Sequence, residues 1–76
     1  MQINEALTLS SLKDNFHQLY EQVRAETSIV VTCESIDTAG LQFLLAIKKQ
    51  HPDIKIILES SAAKELAAFI GADKCL

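Results

Sequence analysis

The sequence predicts an α/β fold: a small, mainly parallel β-sheet with three helices in βαβαβα order. Two observations predict it. Short β-branched runs alternate with segments of helical periodicity, and such alternation implies right-handed crossovers onto a parallel sheet. One run, Ser28 to Thr32 (Ser-Ile-Val-Val-Thr), is nearly unbroken in its apolarity, the pattern of a strand covered on both faces. At 76 residues the chain has room for a single domain, 1–76. A hydrophobic share of 49% is too high for a disordered chain.

Met1 to Leu7 reads as a weak strand at a sheet edge, with Ile3 and Leu7 as its clearest apolar positions. Thr8-Leu9-Ser10-Ser11 then offers N-cap hydroxyls. Leu9, Leu12, Phe16, Leu19 and Val23 follow at steps of three and four, which puts them on one face of a helix ending near Ala25. Lys13, Asp14, Gln18, Glu21 and Gln22 take the other face. After the Ser28–Thr32 strand, a short polar link at Glu34-Ser35 leads into a second helix. Leu41, Leu44, Leu45 and Lys48 share a face of it, and it runs to about Gln50. His51-Pro52-Asp53 stops it, because proline cannot continue a helix. Ile54 to Leu58 is the next strand. Ser60 or Ser61 caps a third helix with Ala62, Leu66, Phe69 and Ile70 facing inward, and Gly71 ends it. The tail, Asp73 to Leu76, is expected to dock briefly.

Several functions are disfavoured by composition. The net charge is −3 and the seven basic residues are scattered, so there is no basic face to neutralise nucleic-acid phosphates. No apolar run approaches the ~20 residues that cross a bilayer, and a basic-then-apolar leader is missing, so a cytoplasmic protein without membrane insertion is expected. Cys33 and Cys75 lack CxxC or Cys/His spacing and read as reduced thiols. His17 and His51 are isolated and read as surface residues, so neither a metal site nor a cofactor is expected. No nucleophile–base pair, Gly-rich phosphate loop or metal cluster is visible, which points away from an enzyme.

The segment Asp37-Thr38-Ala39-Gly40 joins a buried strand to a helix and is the candidate functional turn. Asp37 suits an N-cap, since its carboxylate accepts hydrogen bonds from free N–H groups at the helix start. Thr38 then brings a hydroxyl to the first turn, where the helix dipole and free amides favour a phosphate. Ala39 and Gly40 are small and allow another surface to approach closely. An ordinary capping pair followed by a tolerated glycine accounts for the same four residues, and spacing alone does not separate the two readings.

Ile36-Asp37-Thr38-Ala39-Gly40-Leu41-Gln42, followed by Leu44-Leu45, resembles the signature of the STAS family, the anti-sigma-factor-antagonist fold. In that family a strand runs into an Asp-Ser/Thr-Ser/Ala/Thr-Gly-Leu turn that opens a helix. The likeness covers roughly Ser28 to the C-terminus and, more loosely, the first helix. It implies a non-enzymatic, bacterial signalling domain with Thr38 as phosphoacceptor and Ser35, Asp37, Thr38, Ala39, Gly40 and Gln42 as the partner-binding surface. The partner implied is an anti-sigma-type serine/threonine kinase or a histidine-kinase-like relative in a signalling cluster. Relatives with threonine at this position also include a subunit resembling that of a lipid-transport ATPase, so a constitutive docking subunit of such a transporter stays open. The chain departs from the family pattern in two places. One short strand stands where the family begins with a longer pair, and Val30-Val31-Thr32-Cys33 replaces an Asp-Leu-Ser-like segment. Homodimerisation through an exposed strand edge is left open by the shortened N-terminal region.

Overall fold

The computed structural model describes residues 1–71. Its elements are strand β1 (Gln2–Ile3), helix α1 (Leu9–Val23), strand β2 (Ser28–Val31), helix α2 (Thr38–Gln50), strand β3 (Lys55–Leu58) and helix α3 (Ser61–Ile70). The three strands form one parallel sheet in the order β1-β2-β3. The α/β class with three helices on a parallel sheet is as the sequence predicts. The expected roles of the Asp73–Leu76 tail and of Cys75 fall outside the described residues.

Local chemistry accounts for most boundaries. Thr8 caps α1, its hydroxyl accepting from the Ser11 N–H at 3.4 Å. Asp37 caps α2 and Ser60 caps α3 in the same i to i+3 manner. The chain leaves α3 at Gly71, whose φ of 77° is left-handed and whose N–H returns to the Ala67 and Ala68 carbonyls. His51 closes α2 with its N–H on the Ile47 carbonyl, directly before Pro52.

The helices form one layer. α1 packs on α2 and α2 on α3, and the Cα atoms span only 17 Å along the short axis. Burial alternates along the strands: Ile29 and Val31 are wholly buried while Ser28 and Val30 are partly open, and Ile56 is buried between exposed Lys55 and Ile57. Only one sheet face is therefore covered. This corrects the expectation that Ser28–Thr32 is buried on both sides. In the strand order β1-β2-β3, right-handed crossovers send α1 and α2 to the same face, and α3 packs against α2, so no helix of the described residues covers the other face.

The core is built from Leu7, Val23, Ile29, Val31, Leu41, Leu44 and Ile47, all wholly buried. Several expected inward positions differ. On α1, Leu12 and Val23 are buried, but Leu9 and Phe16 stay 60% and 50% exposed. On α3 the contact face is Ala63 and Ala67, and Phe69 is 88% exposed among the described residues. Small residues let α3 sit close, which leaves the larger ones beside them at the rim. On α2, Phe43 joins the core because the helix is covered by α1 as well as by the sheet; Phe16 meets it edge-on at 5.5 Å. Lys48 is half-buried, and its Nζ donates to the Ile54 carbonyl at 2.5 Å.

The first strand is shorter than predicted. Ladder pairing covers Gln2–Ile3, breaks over residues 4–6, and resumes as a single bridge between Leu7 and Ile36. There the Leu7 N–H donates to the Ser35 carbonyl at 2.7 Å, and the Leu7 carbonyl accepts from Asp37 N–H at 3.2 Å. Gly40 packs onto this bridge. A Cβ on Gly40 would stand 2.2 Å from the Leu7 carbonyl oxygen and 2.8 Å from the Leu7 Cβ. The obstacle is backbone, which cannot swing away. Gly40→Ala is accordingly expected to destabilise the fold by about 1–3 kcal/mol despite alanine's better helix propensity. Urea unfolding of the two proteins measures it, and equal or higher stability for the variant would contradict the contact.

Candidate functional site at the start of the second helix

All three helices begin at the end of the sheet where the strands finish, and the chain supplies its own caps there. Glu34, which reads in the sequence only as part of a polar link, reaches α3: its two carboxylate oxygens accept from the N–H groups of Ser61 (3.3 Å) and Ala62 (3.1 Å). Ser60 Oγ takes the Ala63 N–H at 3.1 Å. Negative charge at a helix start is favourable, so Glu34 joins the β2–α2 link to α3.

Asp37 does more than cap its own helix. Oδ1 accepts from the Gly40 N–H at 3.2 Å, and Oδ2 accepts from the Leu9 N–H, the first residue of α1, at 3.0 Å. One carboxylate thus joins the starts of α1 and α2. The Leu9 N–H is the main influence holding the Asp37 carboxyl below its ordinary range; partial desolvation opposes it, and the Gly40 and Ala39 amides reinforce it. Asp37 is therefore ionised at neutral pH.

The predicted surface residues divide by exposure. Ser35, Thr38 and Gln42 are exposed, and Asp37 and Ala39 are partly so. Thr38 and Gln42 stand four apart on α2 and share a face. Gly40 is buried against Leu7, so the close approach its small size permits is to this chain's own backbone. Beside Thr38 a shallow apolar groove of about 440 Å³ runs between α1 and α2, with Leu9, Phe16, Ala39, Gln42 and Phe43 among its walls. The half-exposed Leu9 and Phe16 belong to this groove. Helical periodicity identifies their face but not how far α2 covers it.

Cys33 is buried and free, and burial is the main cause raising its thiol above the ordinary value, which makes it a poor nucleophile. His17 is exposed and His51 partly buried. No group of three metal-ligating side chains occurs among the described residues, and none of their helices is long and apolar enough to cross a membrane.

No family model matches the chain, and no curated protein or solved structure matches it at a significant level.

Removing the Asp37 carboxylate should loosen two helix starts together. Asp37→Ala is expected to lose about 1–2 kcal/mol at neutral pH, at the upper end for a cap. A carboxyl whose folded pKa is lowered adds stability above its unfolded value, about 3.9, and loses it as pH falls through the folded value. The gap between wild type and Asp37→Ala should therefore be full at neutral pH and shrink as the acid range is entered. Urea titrations at a series of pH values measure this, and a gap that persists unchanged in acid would contradict the role given to the charge.

Proposed function

We propose that the chain is a non-enzymatic regulatory domain of the STAS type, an anti-sigma-factor antagonist. It binds a serine/threonine kinase of the anti-sigma type through the start of α2, and phosphate on Thr38 releases it. The reading rests on the resemblance of Ile36–Leu45 to that family's signature, and the βαβαβα order is in keeping with it. The structural observation that carries it is Thr38 itself, exposed at the first position of α2 and adjacent to the ionised Asp37 carboxylate.

A phosphate on Thr38 adds roughly −1.5 to −2 charge and three acceptor oxygens. The dipole at the start of α2 favours that charge, so the helix itself tolerates it. Asp37 does not. It already holds the Gly40 and Leu9 N–H groups, and the phosphate repels it and competes for the same donors. Of the two bonds, the one to Leu9 ties α1 to α2 and borders the groove, so the modification is felt beyond the helix that carries it. The partner then meets a new charge at the rim of an apolar surface, where burying an unmatched anion is costly.

The apolar groove also suits permanent contact, and this favours the second reading, a constitutive docking subunit of a lipid-transport ATPase. The two part company at Thr38. For the switch, Thr38→Glu should weaken binding of the cognate kinase at least about tenfold while Thr38→Ala binds as wild type does, measured by calorimetry. Equal binding by both variants would overturn the switch. Weaker assembly for Thr38→Ala, with Thr38 never found phosphorylated in the native cell, would favour the docking subunit.

A further inference from the structure

We propose that the edge of β3, unpaired among the described residues, is a self-association surface, on which two copies pair β3 with β3 antiparallel about a two-fold axis and join their sheets into one of six strands.

The sheet order leaves β1 and β3 at the edges. β1 pairs over two residues, too short a template to recruit another chain. β3 runs from Lys55 to Leu58 without glycine or proline. Its backbone orientation follows from its bonds to β2: Lys55 N–H donates to the Thr27 carbonyl at 3.0 Å and Glu59 N–H to the Val31 carbonyl at 2.9 Å. Residues facing the neighbour alternate in a parallel ladder, so Lys55, Ile57 and Glu59 turn their backbone groups to β2. Ile56 and Leu58 turn theirs to the unpaired edge.

Outward groups must oppose outward groups if a second β3 is to bond there. The antiparallel register centred on Ile57 does this, setting Ile56 opposite Leu58 of the second copy and, by symmetry, Leu58 opposite Ile56. Each such pair exchanges two N–H···O bonds. The same register sets Lys55 opposite Glu59 of the second copy, twice. Both side chains are exposed and, by strand alternation, lie on the uncovered sheet face with Ile57. Ile57 is 41% exposed and would meet its own copy at the axis as a closely spaced, non-hydrogen-bonded pair. Val30 stands beside Ile57 in the ladder, so the row Val30–Ile57 continues into Ile57–Val30 of the second copy as one apolar stripe.

Charge selects this arrangement. A parallel pairing in register would oppose Lys55 to Lys55 and Glu59 to Glu59, and sliding the antiparallel register by two residues would separate both opposite-charge pairs. A lysine on an edge strand ordinarily discourages pairing, but here each copy brings the glutamate that answers it. The strands are short, so the contact falls below the roughly 1,200 Å² of lasting complexes and association should be weak.

Sedimentation equilibrium of the full chain from micromolar to millimolar concentration tests the proposal. Wild type should show a reversible monomer–dimer equilibrium. Lys55→Glu and Glu59→Lys should each weaken it about tenfold, while circular dichroism shows both still folded. Mixing the two variants should restore association, because each then faces its opposite charge. A wild type that stays monomeric to millimolar concentration overturns the proposal, as does a dimer indifferent to both reversals or a mixture no better than its parts.

Discussion

The approach of the Leu7 backbone to the first turn of α2 is the constraint on which the rest of the structure depends. Leu7 is wholly buried, bridges to Ile36 between the Ser35 carbonyl and the Asp37 N–H, and leaves no room for a side chain at position 40. The contact fixes where α1 begins relative to α2. It brings the Leu9 N–H to Asp37, and it explains why β1 ends after Ile3: the chain must leave the ladder and return to it at Leu7. A glycine that a helix would otherwise tolerate poorly is thus the residue that lets two elements meet.

Charge is used economically around this contact. All three helix starts hold carboxylates of the chain itself, Asp37 for α1 and α2 together and Glu34 for α3. Some of the backbone donors that would otherwise attract a free anion, the Leu9 and Gly40 N–H groups among them, are therefore engaged. A new negative group at Thr38 does not fill an empty site but enters a shared one, which makes it a perturbation by construction. That shared site is the physical basis of the proposed switch.

What was legible in the sequence is what local chemistry determines. The caps at Thr8, Asp37 and Ser60 act over three residues, Gly71 requires only its own backbone, and Pro52 follows directly on the end of α2. The exposure of Thr38 at a helix start belongs with these. The links that tie the site together join residues 27 or 28 apart, Glu34 to Ser61 and Ala62 and Asp37 to Leu9, and no periodicity announces them. Periodicity also gives a helix face without its cover. Leu9 and Phe16 share the face of Leu12 and Val23 but are only partly covered by α2, and Phe43 lies off the expected stripe yet is buried by a second neighbour. The strand Ser28–Val31 looks doubly buried because valine and isoleucine suit a strand on either face; strand order, which the sequence does not display, decides that one face is open.

The account turns on Asp37 carrying a charge placed on Thr38 across to α1. Hydrogen exchange at the Leu9 amide, read by NMR on the unmodified chain and on the chain bearing phosphothreonine at position 38, tests this most directly. Loss of the Asp37–Leu9 bond predicts exchange at Leu9 at least about tenfold faster in the phosphorylated protein, with the core amides of β2 unchanged. Identical protection of Leu9 in the two forms would mean that the charge stays where it is placed, and that Asp37 does not couple the two helices.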